Sequence, residues 1–194
     1  SVRQNATRLV RARQGGPYHP KETTMTFSLI ARDPGTGMFG IGITTSSIAV
    51  GNRCPWVRAG VGDVTTQSRT DIRLGSRGLD LLESGLSAQQ TVDQLVVESE
   101  FPERRQLAAI DRNGNVAYYC GPNITTLNSG FAGKNCVSTG NGLDNTEVPR
   151  KMVAYFEAAS DVPFIARLLG AIDAGIAAGG EYGPVKAAAL LVAH

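Results

Sequence analysis

Histidine is almost missing from this chain: it occurs only twice, as His19 and His194, near the two ends. A Ser-His-Asp triad or a metal site built on imidazole therefore has little material to draw on. Three cysteines without C-x-x-C spacing argue against a thiolate zinc site and a disulfide framework, and they indicate a reducing cytoplasm. An enzyme of this composition must take its catalytic base from another kind of group.

Long apolar runs and a strong charge of one sign are also missing. No run approaches the roughly 18 residues that span a bilayer, and a net charge of +2 is too small to argue for nucleic acid or an anionic membrane. The carboxylates lack the pair spacing typical of glycosidase or metal chemistry. We therefore expect no metal, no cofactor, no nucleic acid and no membrane partner. The 194 residues predict one globular domain.

Residues 1–24 differ in composition from the rest of the chain. They hold five cations against one acid, Glu22, and QGGPYHP breaks any helix begun by ATRLVRAR. An ordered arm, an upstream translation extension and an artefact of expression are open as explanations. We divide the chain into a basic arm, residues 1–24, and a domain, residues 25–194.

From Thr26 onward the sequence predicts strands first and helices next. TFSLIAR and MFGIGITTS flank the turn DPGTG and predict a hairpin, and VRAGVGDVTTQS predicts a third strand. Two helices follow: LGSRGLDLLESG, ending at Gly85, and LSAQQTVDQLVVES, which opens with a Ser87–Gln90 capping box.

The second half repeats this order. Asn113–Gly114 sits between two alternating runs and is the strongest hairpin signal in the chain. GFAGKNCVSTGN predicts another strand, two helices follow, and VKAAALLVA predicts a final central strand. Segregated runs of strands and helices predict an α+β layered domain, with helices on the outer faces of antiparallel sheets.

Thr26 is the sharpest candidate for chemistry. A hydroxyl is a weak nucleophile unless a base takes its proton, and a free α-amine on the same residue can do so. Removal of Met25, read as a start methionine before a small residue, would expose that amine. The alternative is that Thr26 is a β-branched residue that simply begins a strand.

Other candidates lie at strand ends and turns. In STGNGLDN the side chain of Asn141 can donate to a developing oxyanion, although a plain turn explains the same residues. Arg58 begins the third strand and could lower the pKa of an amine. If the first three strands are neighbours, their ends bring together candidate substrate-binding residues, each equally explained as a solvated strand end: Ser46, Thr66 and Gln67.

An ordered set of segments carries a family resemblance: MTFSLIARDPGTGMFGIGI, PWVRAGVGDVTTQ, GSRGLDLLESGLSAQQTVDQL, RQLAAIDRNGNVA, STGNGL and AGIAAGGEYGPVKAAALLV. Together they resemble the bacterial family called domain of unknown function 1028, which is grouped with the N-terminal nucleophile (Ntn) hydrolases. The resemblance implies a four-layer α/β/β/α sandwich of two antiparallel sheets. It also implies Thr26 as nucleophile with its own amine as base, Asn141 as oxyanion donor, and Arg58 at the position of a charge-tuning lysine.

The chain departs from the family pattern in two places. Lys186–Ala187 stand where the family usually has Gln-Ser, and the family usually continues past the position of His194 into another short strand. We therefore expect a domain that lacks its last strand.

Two functions follow from the resemblance. The first is an amidohydrolase that cleaves a small amide or peptide-like C–N bond. The alternative is a catalytically inert protein of the same fold that binds a small ligand or a partner. A cell-wall role belongs to this alternative, because some members of the family carry a peptidoglycan-binding module. The expected partners are a small amide substrate and further copies of the chain.

Overall fold

A computed structural model describes residues 25–194, so the predicted basic arm lies outside the described residues. Among the residues described, no helix combines the length and the apolar character needed to cross a membrane. The first elements are β1 Thr26–Arg32, β2 Phe39–Thr45, β3 Pro55–Arg58, β4 Gly62–Ser68, α1 Ile72–Glu83 and α2 Ala88–Glu98. The later elements are β5 Arg105–Asp111, β6 Val116–Cys120, β7 Asn128–Gly133, β8 Cys136–Asn141, α3 Val148–Ala158, α4 Phe164–Ala177 and β9 Ala187–Ala193.

The strands form two antiparallel sheets, so the α+β prediction and the predicted order of strands and helices are confirmed. One sheet has five strands in the order β7-β8-β1-β2-β9, and the other has four in the order β3-β4-β5-β6. β1 lies in the middle of the five-stranded sheet. Its first residue, Thr26, pairs with Thr45 of β2 on one side and with Asn141 of β8 on the other.

The predictions that depend on turn and capping residues are confirmed. Asn113–Gly114 closes the β5–β6 hairpin, with Gly114 at φ +84°, a conformation in which glycine meets no steric penalty. The capping box of α2 is complete, because the Ser87 amide donates to Gln90 Oε1 at 3.0 Å and the Gln90 amide donates to Ser87 Oγ at 3.3 Å.

The predicted third strand is wrong in its extent, and it does not lie beside the first two strands in one sheet. The chain turns between Arg58 and Gly62, where Gly60 has φ +69°, so this stretch forms the antiparallel pair β3–β4. Both strands belong to the four-stranded sheet, whereas β1 and β2 belong to the other. Residues at the end of β4 therefore meet β1 across the two sheets and not along one.

Two later strand predictions also change. GFAGKNCVSTGN contains the hairpin β7–β8, which turns through Asn135 at φ +58°, a conformation that asparagine adopts more readily than most residues. The apolar run that ends the chain forms β9, which lies at the edge of the five-stranded sheet beside β2. The prediction of a central strand is therefore wrong, because an apolar run does not say how many neighbours it has.

Three hydrophobic clusters organise the buried residues. One joins β1 and β8 to α3 and α4, and it includes Phe27, Leu29, Met152, Phe156, Leu168 and Ile172. A second joins β4, β5 and β6 to α1 and α2, and it includes Val64, Leu79, Leu82, Val92, Leu95 and Leu107. The third takes residues from both sheets: Ile30, Phe39, Ile41, Ile43, Val50, Cys54, Ala108, Ile110 and Val137.

Alternation along β1 explains how one strand serves two clusters. Successive side chains of a strand point to opposite faces. Phe27 and Leu29 therefore reach α3 and α4, while Ile30 reaches the cluster shared with the other sheet. Thr26 and Ser28 have the parity of Ile30, so the candidate nucleophile lies on the face of β1 directed at the four-stranded sheet.

Candidate functional site

Thr26 begins β1 and is buried, with 1% of its surface exposed. It stands between Thr45 and Asn141, its direct partners in the two flanking strands. Directly paired residues of antiparallel strands project to the same face with Cβ atoms roughly 5 Å apart. A hydroxyl, a second hydroxyl and a carboxamide are therefore placed side by side at one end of the sheet.

The Thr45 hydroxyl sets the direction of the hydrogen bond that the Thr26 hydroxyl makes. Thr45 Oγ1 donates to the Met25 carbonyl oxygen at 2.7 Å, and it lies 3.0 Å from Thr26 Oγ1. A hydroxyl has one proton to donate. Thr45 Oγ1 must therefore accept from Thr26 Oγ1, so the Thr26 hydroxyl proton is directed at Thr45 while the Met25 carbonyl is in place.

The Met25 carbonyl oxygen occupies a site with two donors. The Ser46 amide donates to it at 3.1 Å, beside the 2.7 Å bond from Thr45 Oγ1. The Met25 amide in turn donates to Ser46 Oγ at 3.3 Å. Two donors converging on one carbonyl oxygen are the arrangement that stabilises an oxyanion when a carbonyl is attacked. The residue before Thr26 thus holds a carbonyl where such chemistry would need one.

Side-chain amides connect the two sheets behind Thr26. Ser28 Oγ donates to Gln67 Oε1 at 2.9 Å, and Gln67 Nε2 donates to Gln106 Oε1 at 2.8 Å and to Thr139 Oγ1 at 3.1 Å. Asn141 Nδ2 donates to the same Gln106 oxygen at 3.2 Å. All five residues are buried. We call them the amide network.

Backbone groups complete the amide network on one side. Gln106 Nε2 donates to the Gly140 carbonyl at 2.9 Å and to the Ser129 carbonyl at 3.2 Å. Asn141 Oδ1 is buried and has no hydrogen-bond partner in the part of the chain that the structure describes. An unpaired buried amide oxygen costs free energy. A ligand that donates a hydrogen bond to Asn141 Oδ1 would remove that cost.

Glu181 is a buried carboxyl at the same end of the sheet. It pairs with Leu143 in an isolated bridge, and only 8% of its surface is exposed. Within residues 25–194 neither carboxyl oxygen has a hydrogen-bond partner of normal geometry. Desolvation raises the pKa of Glu181 to about 8, and the Ser46 backbone amide opposes that rise without cancelling it. The Ser46 amide already donates to Met25, which explains why it satisfies Glu181 poorly.

Four of the residues predicted from sequence meet here. Thr26 and Asn141 are paired, Ser46 contacts Met25, and Gln67 belongs to the amide network. Thr66 is placed elsewhere, because it alternates with Gln67 along β4. Its hydroxyl accepts from the Asp71 amide at 3.4 Å, at the start of α1.

Arg58 is also placed away from Thr26. It pairs with Asp80 at 3.0 Å and with Glu83 at 2.6 Å, both on α1. Its partner in β4 is Gly62, five residues before Gln67. At about 3.3 Å per residue the two ends of β4 are roughly 16 Å apart. The position of Arg58 therefore gives no support to a role in tuning an amine at Thr26.

Sequence reasoning missed Thr45, Gln106 and Glu181. Gln106 had a signal, because it is a lone amide beside the apolar run LAAI of its strand. Glu181 had one too, as the single acid in AGIAAGGEYGPV. Thr45 had none beyond its place beside Ser46, since its partnership with Thr26 depends on the register of the β1–β2 hairpin.

Two other kinds of site are not supported among residues 25–194. No group of three or more His, Cys, Asp and Glu side chains is arranged to hold a metal in that range. The three cysteines are free, and burial raises the pKa of Cys136 to about 12, which makes its thiol unreactive. A cavity of about 600 Å³ lies at the far end of β1 from Thr26, beside Arg32 and Arg167.

Comparison with known proteins identifies the family. Residues 26–194 match the model of the family of unknown function DUF1028, so the chain belongs to that family. Its fold is similar to that of protein SPO2555 from Silicibacter pomeroyi, a crystal structure assigned to DUF1028, with a TM-score of 0.81 and 31% identity. The similarity covers 88% of this chain and 74% of that one. No curated protein matches the chain.

Proposed function

We propose that the protein is an N-terminal-nucleophile amidohydrolase that cleaves a small amide or peptide-like C–N bond through Thr26. The observation that carries the proposal is the position of Thr26. It is the first residue of β1, its hydroxyl lies 3.0 Å from that of Thr45, and the family match begins at it. A nucleophile of this class needs its own amine as base, and only the first residue of a chain has one.

The proposal includes a four-layer sandwich, with α3 and α4 outside the five-stranded sheet and α1 and α2 outside the other. The three hydrophobic clusters support it, because one joins each helix pair to a sheet and one takes residues from both sheets. The amide network supports the same arrangement by linking Ser28 of β1 to Gln67 of β4.

The proposed reaction uses the groups around Thr26 in turn. The Thr26 amine takes the hydroxyl proton while Oγ1 attacks the substrate carbonyl carbon. The substrate oxygen takes the place of the Met25 carbonyl oxygen, against Thr45 Oγ1 and the Ser46 amide. The C–N bond breaks as the amine passes the proton to the leaving nitrogen, and water then cleaves the ester on Thr26. Asn141, paired with Thr26, supplies a further donor.

The expected setting of this activity follows from the same residues. Free cysteines fit the reducing cytoplasm as its location. A small amide is the proposed substrate, and copies of the chain are the proposed protein partners.

One observation favours the alternative, a catalytically inert ligand-binding protein of the same fold. In the described chain the Thr26 nitrogen is in a peptide bond with Met25, and the hydroxyl is buried. A chain that keeps Met25 has no free amine at Thr26 and no open path to its hydroxyl.

The deciding experiment is intact-mass analysis and N-terminal sequencing of the protein from its own cell. We expect a mature chain that begins at Thr26, and a chain that stably begins upstream would sink the catalytic proposal. In such a trimmed chain, Thr26→Val keeps the branched shape and removes the hydroxyl. We expect it to lower the turnover of chromogenic amides by about a thousandfold or more.

Thr44→Val is the matched control. Thr44 is buried on β2 next to Thr45, and its hydroxyl has no hydrogen-bond partner among the described residues. The substitution has the same shape and the same loss of a hydroxyl, on the opposite face of the sheet. Equal turnover in the two variants would exclude Thr26 as the nucleophile.

A further inference from the structure

We propose that the space now held by Met25 is an acyl subsite, and that it selects α-aminoacyl amides with a free amine and an unbranched apolar side chain. Glu181 and Ser46 would hold the amine of that acyl group. The inference rests on the proposed function, since it assigns the substrate class of the same site. Met25 supplies the geometry, because its backbone nitrogen, its side chain and its carbonyl all lie next to Thr26.

The side chain of Met25 lies in a cradle formed by two glycines. A Cβ on Gly142 would overlap Met25 Cγ, and a Cβ on Gly183 would come within 2.5 Å of Met25 Cε. Gly142 has φ +64°, so its backbone alone favours glycine, but Gly183 is not among the glycines with positive φ. The absence of a side chain at Gly183 therefore leaves room for the end of a long unbranched side chain.

Glu181 belongs to the wall of this cradle. It lies two residues before Gly183, and the next amide, that of Tyr182, donates to the Gly142 carbonyl at 3.0 Å. Its carboxyl faces the Ser46 backbone. Ser46 also accepts from the Met25 amide at 3.3 Å. The Glu181 carboxyl and the Met25 backbone nitrogen are thus both placed at Ser46.

A buried carboxyl without a partner points to a missing cation. Burying such a group costs free energy unless a hydrogen bond or an opposite charge compensates. Among the described residues no ion pair involves Glu181, and both its oxygens are enclosed. The Met25 nitrogen is an amide with one N–H, already given to Ser46 Oγ. A free α-ammonium has three, enough for Ser46 Oγ and for the Glu181 carboxylate.

The acyl group needs only a small shift from the position of Met25. In the proposed intermediate it is bonded to Thr26 Oγ1 and not to the Thr26 nitrogen, and these two atoms of one residue lie roughly 3 Å apart. The carbonyl carbon forms the bond to Oγ1 as its bond to the leaving nitrogen breaks. The hydroxyl proton passes through the Thr26 amine to that nitrogen, and water then releases the free amino acid.

The test uses a chain that starts at Met25, with the methionine trimmed and Thr26 confirmed as first residue by mass. This chain retains every described strand and helix, and a melting curve checks its folding. We would compare L-methionine p-nitroanilide with its N-acetyl form. We expect the free amine to be preferred, and Glu181→Gln to lower kcat/KM about 10- to 100-fold for the free amine only. Glu98→Gln, exposed on α2, is the control substitution.

A binding measurement separates this inference from the proposed function. We would titrate L-methioninamide into the trimmed chain carrying Thr26→Ala, and into the same chain with Glu181→Gln or Gly183→Ala added. Weaker binding with Glu181→Gln, and a loss with Gly183→Ala that is larger for methioninamide than for alaninamide, support the subsite. The untrimmed chain, in which Met25 fills the cradle, should not bind.

The outcomes divide clearly. Glu181-dependent binding without any turnover keeps the subsite and overturns the hydrolase. Thr26-dependent turnover that ignores the free amine and Glu181 keeps the hydrolase and overturns the subsite. Absence of binding in the folded, trimmed chain overturns the subsite whether or not other amides are cleaved.

Discussion

The contact between the two sheets has an apolar half and a polar half, and β1 contributes residues to both. Ile30 joins an apolar cluster with Phe39, Ile41 and other residues of both sheets. Ser28, two residues earlier on the same face, instead donates to Gln67 in the amide network. An apolar contact needs only area and shape, whereas a buried amide needs a partner for each donor and acceptor. The half next to Thr26 therefore costs more free energy to bury than the apolar half.

Each half is accompanied by one buried carboxyl. Asp63 of β4 is completely buried and pairs with Ile110 of the apolar cluster, and desolvation raises its pKa well above the usual value, opposed by the Gly40 backbone. Glu181 lies at the Thr26 end, with a pKa raised by desolvation to about 8. Asp63 is enclosed by protein, while Glu181 borders the cradle that Met25 fills. Only the second can gain a partner from a ligand.

Glu181→Gln is expected to change stability most, and in a pH-dependent way. The folded-state pKa of Glu181 is about 8, against an ordinary glutamate pKa of 4.5. Between these values the folded chain keeps a proton that the unfolded chain has lost. Stability from this group is therefore complete below pH 4.5 and is lost as the pH rises towards 8, by up to about 5 kcal/mol.

Urea unfolding of the full chain and of Glu181→Gln, at about pH 5 and about pH 9, measures this loss. The variant should gain stability relative to the natural chain at the higher pH. Asp63 is present in both chains, so its own titration cancels in the difference. Glu98→Gln should show no such trend, because its salt bridge with Arg77 helps lower the pKa of Glu98 to about 2, below this range. A difference that is flat with pH would contradict the prediction.

Gln67→Leu breaks the amide network and is expected to cost about 4 kcal/mol of unfolding free energy. The leucine leaves Ser28 Oγ, Gln106 Oε1 and Thr139 Oγ1 buried without the bonds that Gln67 makes. Gln89→Leu is the control, because Gln89 is exposed on α2, where its amide donates to the exposed side chain of Asp93. Similar urea midpoints for the two variants would show that the network contributes little.

Ile41→Val tests the apolar half and is expected to cost only about 1 kcal/mol. Ile41 is fully buried in the cluster shared by the two sheets, and valine removes one methylene without exposing a polar group. Amide turnover of the trimmed chain should stay at its starting value. A clear loss of turnover in the folded Ile41→Val chain would mean that the apolar half is not separate in function from the half next to Thr26.

The sequence predicts this fold best where the chemistry is local. The Ser87–Gln90 capping box and the Asn113–Gly114 turn are satisfied by residues within a few positions, so their geometry can be read from the chain alone. The edge position of β9 cannot, because its neighbour β2 lies almost the whole chain away. The break between β3 and β4 had a local signal, Gly60, which the alternating pattern around it outweighed.

The candidate site divides in the same way. Thr26 and Asn141 stand out as residue types at a strand start and a turn, and their pairing needs only the β1–β8 register. To predict that Gln67 and not Thr66 lies near Thr26, one must know which face of β4 is directed at β1, because successive side chains of a strand point to opposite faces. Glu181 acquires its character from burial at Ser46, a contact across more than a hundred residues that no local pattern contains.

The middle position of β1 has a consequence for how this site moves. β1 is hydrogen-bonded along its length to β2 and β8, so its amides should exchange with deuterium only in the rarest openings of the domain. The proposed nucleophile, as the first residue of this strand, would then be held in place by one of the slowest-exchanging parts of the domain. Access to it would then depend on the neighbouring segments that lie outside the strands, those that carry Ser46 and Glu181.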